Sequence, residues 1–183
     1  MRLLINLRML SMGNRIWSIL ADITFLSLRI QSQKYNLNEE KMRFSNIIVT
    51  VDGSESSLSA ADFAISLASR DSSQLTILTV IHTAVGLAHS GKPEEWHKNE
   101  RIRAQELFDK IKKDALNKNI ICKTNIIETH MSVDGAIVNY AEEQKGDLIV
   151  IGTSGMAGLK KMLLGSVVTG VVRYATCPVL AVK

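Results

Sequence analysis

From Phe44 to the end of the chain, apolar positions follow two rhythms that take turns. Short continuous apolar runs, rich in β-branched residues, occur at Ile47 to Val51, Leu75 to Ile81, Ile120 to Ile127, Leu148 to Ile151 and Val179 to Val182. Runs of that length bounded by charge, glycine or proline predict strands buried on both faces of a sheet. Between them, apolar residues recur every third or fourth position, the period of a helix with one face on a core. The first such segment follows Asp52-Gly53-Ser54, a turn and an N-cap in succession, and puts Leu58, Ala61, Ile65 and Ala68 on one face before Asp71-Ser72-Ser73 closes it. The second follows a long polar connection from His82 to about Glu94 and carries Ala104, Leu107, Phe108, Ile111 and Ala115. A third, capped by Ser132, directs Val133, Ala136, Ile137, Tyr140 and Ala141 inward, with Gly146 where a C-cap glycine belongs. The last starts at Ser166, presents Val167, Val168, Val171 and Tyr174, and ends before Pro178. Strand and helix alternate with connections long enough for crossovers, which predicts an α/β fold: one parallel sheet of five strands with helices on both faces.

Composition adds bounds rather than detail. A chain of 183 residues, 46% of them hydrophobic, can bury one core of ordinary size. The net charge of +4 is unevenly placed: residues 1–41 carry six Arg or Lys against three Asp or Glu, so residues 42–183 are close to neutral. A basic total of that origin gives little reason to expect a nucleic-acid partner. Cys122 and Cys177 have no paired spacing and fit reduced, buried thiols in a cytoplasmic protein. The stretch Ile16 to Ile30 is apolar, but Asp22 interrupts it and it is shorter than the ~20 residues a bilayer span requires, so no stable membrane anchor is expected. Arg2, Arg8, Arg15 and Arg29 flank apolar residues there, which leaves a basic amphipathic surface helix open. The simpler expectation is an upstream extension over residues 1–41, disordered or loosely packed, and one domain over residues 42–183.

Candidate chemistry concentrates between Asp147 and Val168. The fourth predicted strand leads into Gly152 and Gly155, and nine residues later Gly165-Ser166 opens the last helix. A strand, a glycine-bearing loop and a helix N-terminus suit phosphate: glycine lets backbone amides approach an anion, and the first amides of a helix have no partner within it. Taken singly, Gly152 would do no more than end a strand, and Gly165-Ser166 no more than begin a helix. Joined in order to the strand ending at Asp52-Gly53-Ser54 and to the closing Cys177-Pro178-Val179-Leu180-Ala181-Val182, the motif Gly152-x2-Gly155-x9-Gly165-Ser166 resembles the universal stress proteins, in the subgroup that binds ATP. The resemblance covers Met42 to Lys183.

That resemblance implies a Rossmann-like domain of strand order 3-2-1-4-5, so that Asp52 and Gly152 end neighbouring strands at the point where winding reverses. It further implies that Gly152 and Gly155 let the loop approach ribose and phosphates, and that Gly165, Ser166 and Val167 give amides and one hydroxyl to the phosphate chain. Asp52 would accept hydrogen bonds from the adenosine part, and the backbone of Val80 would read the adenine edge. The expected ligand is an adenine nucleotide, ATP or AMP, with room for Mg²⁺ or Mn²⁺ held through the phosphates. Lys160 and Lys161 lie in the loop and could balance phosphate charge, and Ser154 stands where many relatives carry a larger or basic side chain. A homodimer through the fifth strand is expected, because an uncovered apolar edge invites pairing with a copy of itself.

What is missing narrows the function. A P-loop enzyme needs GxxxxGK[ST], whereas here the lysines precede the last glycine. A phosphoacceptor receiver domain would gather further acids near its aspartate, and Asp52 has none before Glu55. His82, His89, His97 and His130 form no spaced pair with a carboxylate or cysteine. No base is evident to activate water. The expectation is a nucleotide-dependent signalling or regulatory module of the stress response with no catalytic residues, hydrolysing ATP slowly if at all. The alternative is a nucleotide-independent dimeric stress or scaffold protein.

Overall fold

The computed structural model of the chain describes residues 43–83, 93–153 and 165–183. The expected amino-terminal extension lies outside those residues, as does most of the connection after His82. The described elements run β1 (Asn46–Thr50), α1 (Glu55–Asp71), β2 (Gln74–His82), α2 (Pro93–Leu116), β3 (Cys122–Thr129), α3 (Val133–Glu143), β4 (Leu148–Gly152), α4 (Ser166–Tyr174) and β5 (Val179–Val182). All strand pairs are parallel, in the order β3-β2-β1-β4-β5, as expected.

Period-two alternation along the central strands divides the core in two. Ile47, Val49 and Val51 of β1 and its end, with Leu148 and Val150 of β4, face α1 and α2, where Ala60, Ala64, Ile65, Phe108 and Ile111 meet them. Ile48, Ile149 and Ile151 face the other way, onto Ile137 and Ala141 of α3 and Val168 and Val171 of α4. The centre of the sheet is therefore apolar on both sides, which is why β1 and β4 are continuous apolar runs. Alanines at 60, 61, 64 and 68 keep α1 close to the sheet, since each is buried without adding bulk.

Carboxylates tie the start of β1. Asp147 accepts from the N–H groups of Ser45 (2.7 Å) and Asn46 (3.0 Å), and its own N–H donates to the Asn46 carbonyl at 3.0 Å. Asp71, with its side chain only 3% exposed, accepts from the Phe44 N–H at 3.2 Å and from Arg70 through two bonds of 2.6 and 2.9 Å. The Arg70 guanidinium, and then the Phe44 N–H, hold the Asp71 carboxyl below the usual carboxylate range against the opposing effect of burial.

Three helices end on a non-glycine residue in the left-handed region: Ser72, Asn119 and Lys145. After each, the next N–H reaches back five residues to a carbonyl: Ser73 to Ala68, Ile120 to Ala115, and Gly146 to Ala141. This arrangement corrects two expectations. Strand β3 begins at Cys122 rather than Ile120, because Ile120 is used to close α2. Gly146 is not the left-handed cap; Lys145 is, at φ 54°. Gly146 is glycine for another reason, since a Cβ there would lie 2.6 Å from Cδ1 of the fully buried Ile48. Tyr174 also departs from its expected inward position: it ends α4, is 54% exposed, and lies under the Arg173 guanidinium. Among the described residues, no helix is long and apolar enough to cross a membrane.

Two predictions follow from these termini. Gly146→Ala should destabilise the protein by about 1–3 kcal/mol through overpacking. Lys145→Gly should be neutral or stabilise it by up to about 1 kcal/mol, because relief of the left-handed strain outweighs the added chain entropy. Urea denaturation of both variants checks the assignment, and the reverse order of stabilities would refute it. For Asp71→Asn, a loss of about 1 kcal/mol is expected at neutral pH. Because the folded-state carboxyl ionises at lower pH than in the unfolded chain, that contribution is complete above the ordinary carboxylate value and is lost as the pH falls below it. The gap between wild type and variant should therefore close in acid; an equal gap at pH 7 and at about pH 3 would exclude the ion pair as its source.

Candidate functional site

The carboxyl ends of β1 and β4 form one mouth. Thr50 pairs with Ile151, so Asp52 and Gly152 leave the sheet on adjacent strands, about 5 Å apart laterally in the strand-spacing direction. The end of β1 is held from β2: the Val51 N–H donates to Leu78 O at 2.9 Å, and Thr79 Oγ1 donates to Val51 O at 2.9 Å. The chain then turns through Gly53, at φ 87°. Asp52 is exposed, and its Oδ1 accepts from the N–H (3.0 Å) and hydroxyl (2.6 Å) of Ser54. Ser54 in turn caps α1, accepting from the Ser57 N–H at 3.3 Å. The nearly buried Ser57 hydroxyl donates to Ser54 O at 2.9 Å and accepts from the Asp52 N–H at 3.3 Å. A closed set of short polar links thus fixes the Asp52 carboxylate relative to the first turn of α1.

Gly152 joins that turn to β4. A Cβ on Gly152 would lie 2.7 Å from the Ser56 carbonyl carbon, from Ser56 Oγ and from the Ser57 nitrogen. The backbone of α1 thus occupies the space a side chain would take. The structural requirement for glycine at 152 is this approach of α1, a packing reason distinct from the ligand approach expected of it. Beyond Gly152, the buried Thr153 donates its N–H to Val182 O at 2.7 Å and accepts from the Gly165 N–H at 2.9 Å, so both ends of the loop over residues 154–164 meet. Gly155, Ser154, Lys160 and Lys161 lie outside the described residues.

Helix α4 starts where that loop returns. Its N-cap is Gly165, in extended conformation (φ −59°, ψ 153°), with no side-chain cap and no acid in the first turn. The serine-capped helices α1 and α3 differ on both counts. Ser54 caps α1, which has Glu55 in its first turn; Ser132 caps α3, which has Asp134. Among the described residues, the first amides of α4, at Ser166 and Val167, have neither the side-chain cap nor the first-turn acid found on α1 and α3. Ser166 is exposed and Val167 half-buried. Val80 lies in β2 two residues beyond Leu78, whose carbonyl faces β1. Strand alternation points the Val80 N–H and C=O to the same side, past the last paired residue of β1, while its side chain packs on the α3–α4 core. Asp52, Val80, Gly152, Gly165, Ser166 and Val167 therefore all belong to the carboxyl end of the sheet.

Sequence reasoning missed Ser57 and Thr79, the two hydroxyls that hold the mouth in shape. Serine three residues after a serine N-cap, at the end of a strand, was the available signal for the first. Thr79 carried none, because its partner is a carbonyl on a strand that only the fold brings near. His130 Nδ1 contacts Thr83 Oγ1 (2.7 Å) and Thr83 O (3.0 Å), joining β2 to the end of β3. Burial pushes the Cys122 and Cys177 thiols up, and both are free. Among the described residues, no three His, Cys, Asp or Glu side chains gather in a metal-binding arrangement.

Proteins of known family are similar to this chain in sequence and, where solved, in fold. A universal stress protein of Methanocaldococcus jannaschii is 37% identical over 142 residues, covering 76% of this chain and 82% of that protein. The structure of a universal stress protein from Lactobacillus plantarum superposes with a TM-score of 0.69 at 26% identity, covering 78% of this chain and 100% of that one. A universal stress protein solved in complex with cAMP matches with a TM-score of 0.56 at 26% identity, over 77% of this chain and 98% of that one. The model of the universal stress protein family matches residues 43–183, the whole span from the first described residue to the carboxyl terminus, and the chain belongs to that family.

Proposed function

We propose that the mouth between β1 and β4 binds an adenine nucleotide, ATP or AMP, and that the protein serves the stress response as a nucleotide-dependent regulatory module. The observation that carries this reading is the bare start of α4. Three helix N-termini have a described cap residue, and only that of α4 lacks both a side-chain cap and a first-turn acid. Free amides at a helix start attract an anion through hydrogen bonding and through the helix dipole. A related protein bound to cAMP supports an adenine nucleotide as that anion.

The parts have distinct roles in this reading. The amides of Ser166 and Val167 and the Ser166 hydroxyl take the phosphates. Asp52, held by Ser54, turns its remaining acceptor capacity to the adenosine hydroxyls, and the Val80 backbone meets the adenine edge. Gly152 keeps α1 close enough for Asp52 and α4 to share one ligand, and Gly155 lets the loop approach it. Mg²⁺ or Mn²⁺, where present, would be carried mainly by the phosphates, which offer the hard oxygen ligands such ions prefer. In this reading the nucleotide acts as a signal, with slow hydrolysis at most. The protein works in the cytoplasm. A second copy docks at β5, which among the described strands pairs with β4 alone and stands last in the sheet.

Substitution at residue 165 tests the site with effects of opposite sign. The Gly165 backbone angles suit an aspartate N-cap, so Gly165→Asp should leave the unliganded protein as stable as wild type or a few tenths of a kcal/mol more stable. The same carboxylate would occupy the α4 amides and repel phosphate. Thermal shift with ATP or AMP should show stabilisation of the wild type, and Gly165→Asp should lose it, with affinity falling on the order of 100-fold or more. A variant that binds nucleotide as well as wild type would remove α4 from the site. Absence of any shift in the wild-type protein would favour the nucleotide-independent scaffold.

A further inference from the structure

Parallel strands put all their amino ends at the edge of the molecule opposite the mouth. There, the link from α2 to β3 is unusually apolar for an exposed turn: Ile121 is 89% exposed and Leu116 is 61% exposed. With Lys112, Ile120 and Cys122 they line a shallow cleft of ≈ 170 Å³. Residues 112–123 carry Lys112, Lys113, Lys118 and Lys123 against a single acid, Asp114. Lys118 reaches Ser66 of α1 (2.9 Å) and Lys123 reaches Gln74 at the start of β2 (3.4 Å), so the ammonium groups spread to either side of the apolar tip. Of the acids at the start of β1, Asp71 is paired with Arg70, so Asp147, which accepts from the Ser45 and Asn46 N–H groups, is the one that keeps its charge there. Glu142 and Glu143 end α3, which packs on the opposite face of the sheet.

We infer that this end of the domain docks reversibly on an anionic lipid surface, with Leu116 and Ile121 entering the interface and the four lysines facing the headgroups. Two protruding side chains are far too little for a folded partner, which needs about 800 Å² a side, and the cleft is below the ~300 Å³ of an ordinary ligand pocket. Shallow insertion beside basic residues suffices for a membrane surface, provided a second signal adds to it. The chain supplies one at the same end. Cys122, Leu75 and Ile47 are in register across β3, β2 and β1, so Ile47 lies about two strand spacings, or ~10 Å, from Cys122, and the chain enters β1 along this same edge of the sheet. The residues before β1 are net basic and contain the apolar stretch Ile16 to Ile30. Docking in this way turns the mouth of the sheet toward solvent, and it does not depend on the nucleotide reading.

Sedimentation of the full chain with vesicles tests the docking. Vesicles of phosphatidylcholine alone are compared with vesicles containing on the order of one-third phosphatidylglycerol. Binding is expected only to the anionic vesicles, and should weaken as salt rises. Leu116→Ser with Ile121→Ser, and separately Lys113→Glu with Lys123→Glu, should each lower the partition about tenfold or more, with thermal melting unchanged because all four side chains are exposed. Equal binding of wild type to both vesicle types, or none to either, would overturn the inference. So would variants that bind like wild type, which would assign the affinity to residues 1–42 alone. Loss of binding to polyglutamate with vesicle binding intact would assign the patch to an acidic polypeptide instead.

Discussion

One carboxylate sets the register on which the site depends. Asp147 opens β4, yet it binds the N–H groups of Ser45 and Asn46, 102 and 101 residues earlier, as β1 begins. Both strands are buried on both faces, so a slip of one residue would exchange the Ile47–Val49 set with Ile48 and present each to the wrong pair of helices. With the amino ends pinned, the carboxyl ends must finish side by side. Asp52 and Gly152 share a mouth because Asp147 and Asn46 share a hydrogen-bonded start.

The second constraint acts at the mouth itself. Helix α1 rests its first turn on Gly152 with no room for a Cβ, and Ser54 and Ser57 bind that turn to Asp52. Position 152 is therefore coupled to the carboxylate through packed backbone before any ligand arrives. Preorganisation of this kind lowers the entropy a bound molecule must overcome, because the acceptor at 52 and the loop anchor at 153 are already at fixed separation. Thr153, which accepts from Gly165, extends the same rigid chain of contacts to α4.

Much of this was legible in the amino-acid sequence, for a physical reason: strands buried on both faces leave little freedom in composition, and Ser54 and Ser132 announce their helices. Strand adjacency was not legible, since periodicity carries no information on which strands pair, and only the family resemblance supplied the order. Local competition hid the rest. Ile120 is apolar and β-branched, but the turn after α2 needed its N–H. Gly146 follows the left-handed residue, and its glycine answers to Ile48 across the core. Gly152 carries, besides any ligand role, a packing requirement that its local sequence did not announce: the space beside it belongs to Ser56 and Ser57. A local turn claimed Ile120, and long-range packing claimed Gly146 and Gly152.

The treatment of helix starts separates stability from binding in this chain. A serine N-cap is worth about 1 kcal/mol over a residue that cannot cap, and a first-turn acid adds several tenths through the dipole. Both are present on α1 and α3, whose N-termini are built into the fold. Neither is present on α4, although Ser166 stands one residue too late to serve as the cap. Glycine at the cap position preserves backbone geometry while leaving the amides bare, so the fold is not distorted by the omission. The stabilisation withheld at that terminus is available to an anion supplied from outside. Among the described helix starts, that of α4 would gain most from an external anion, which is the physical basis of the phosphate role proposed for it.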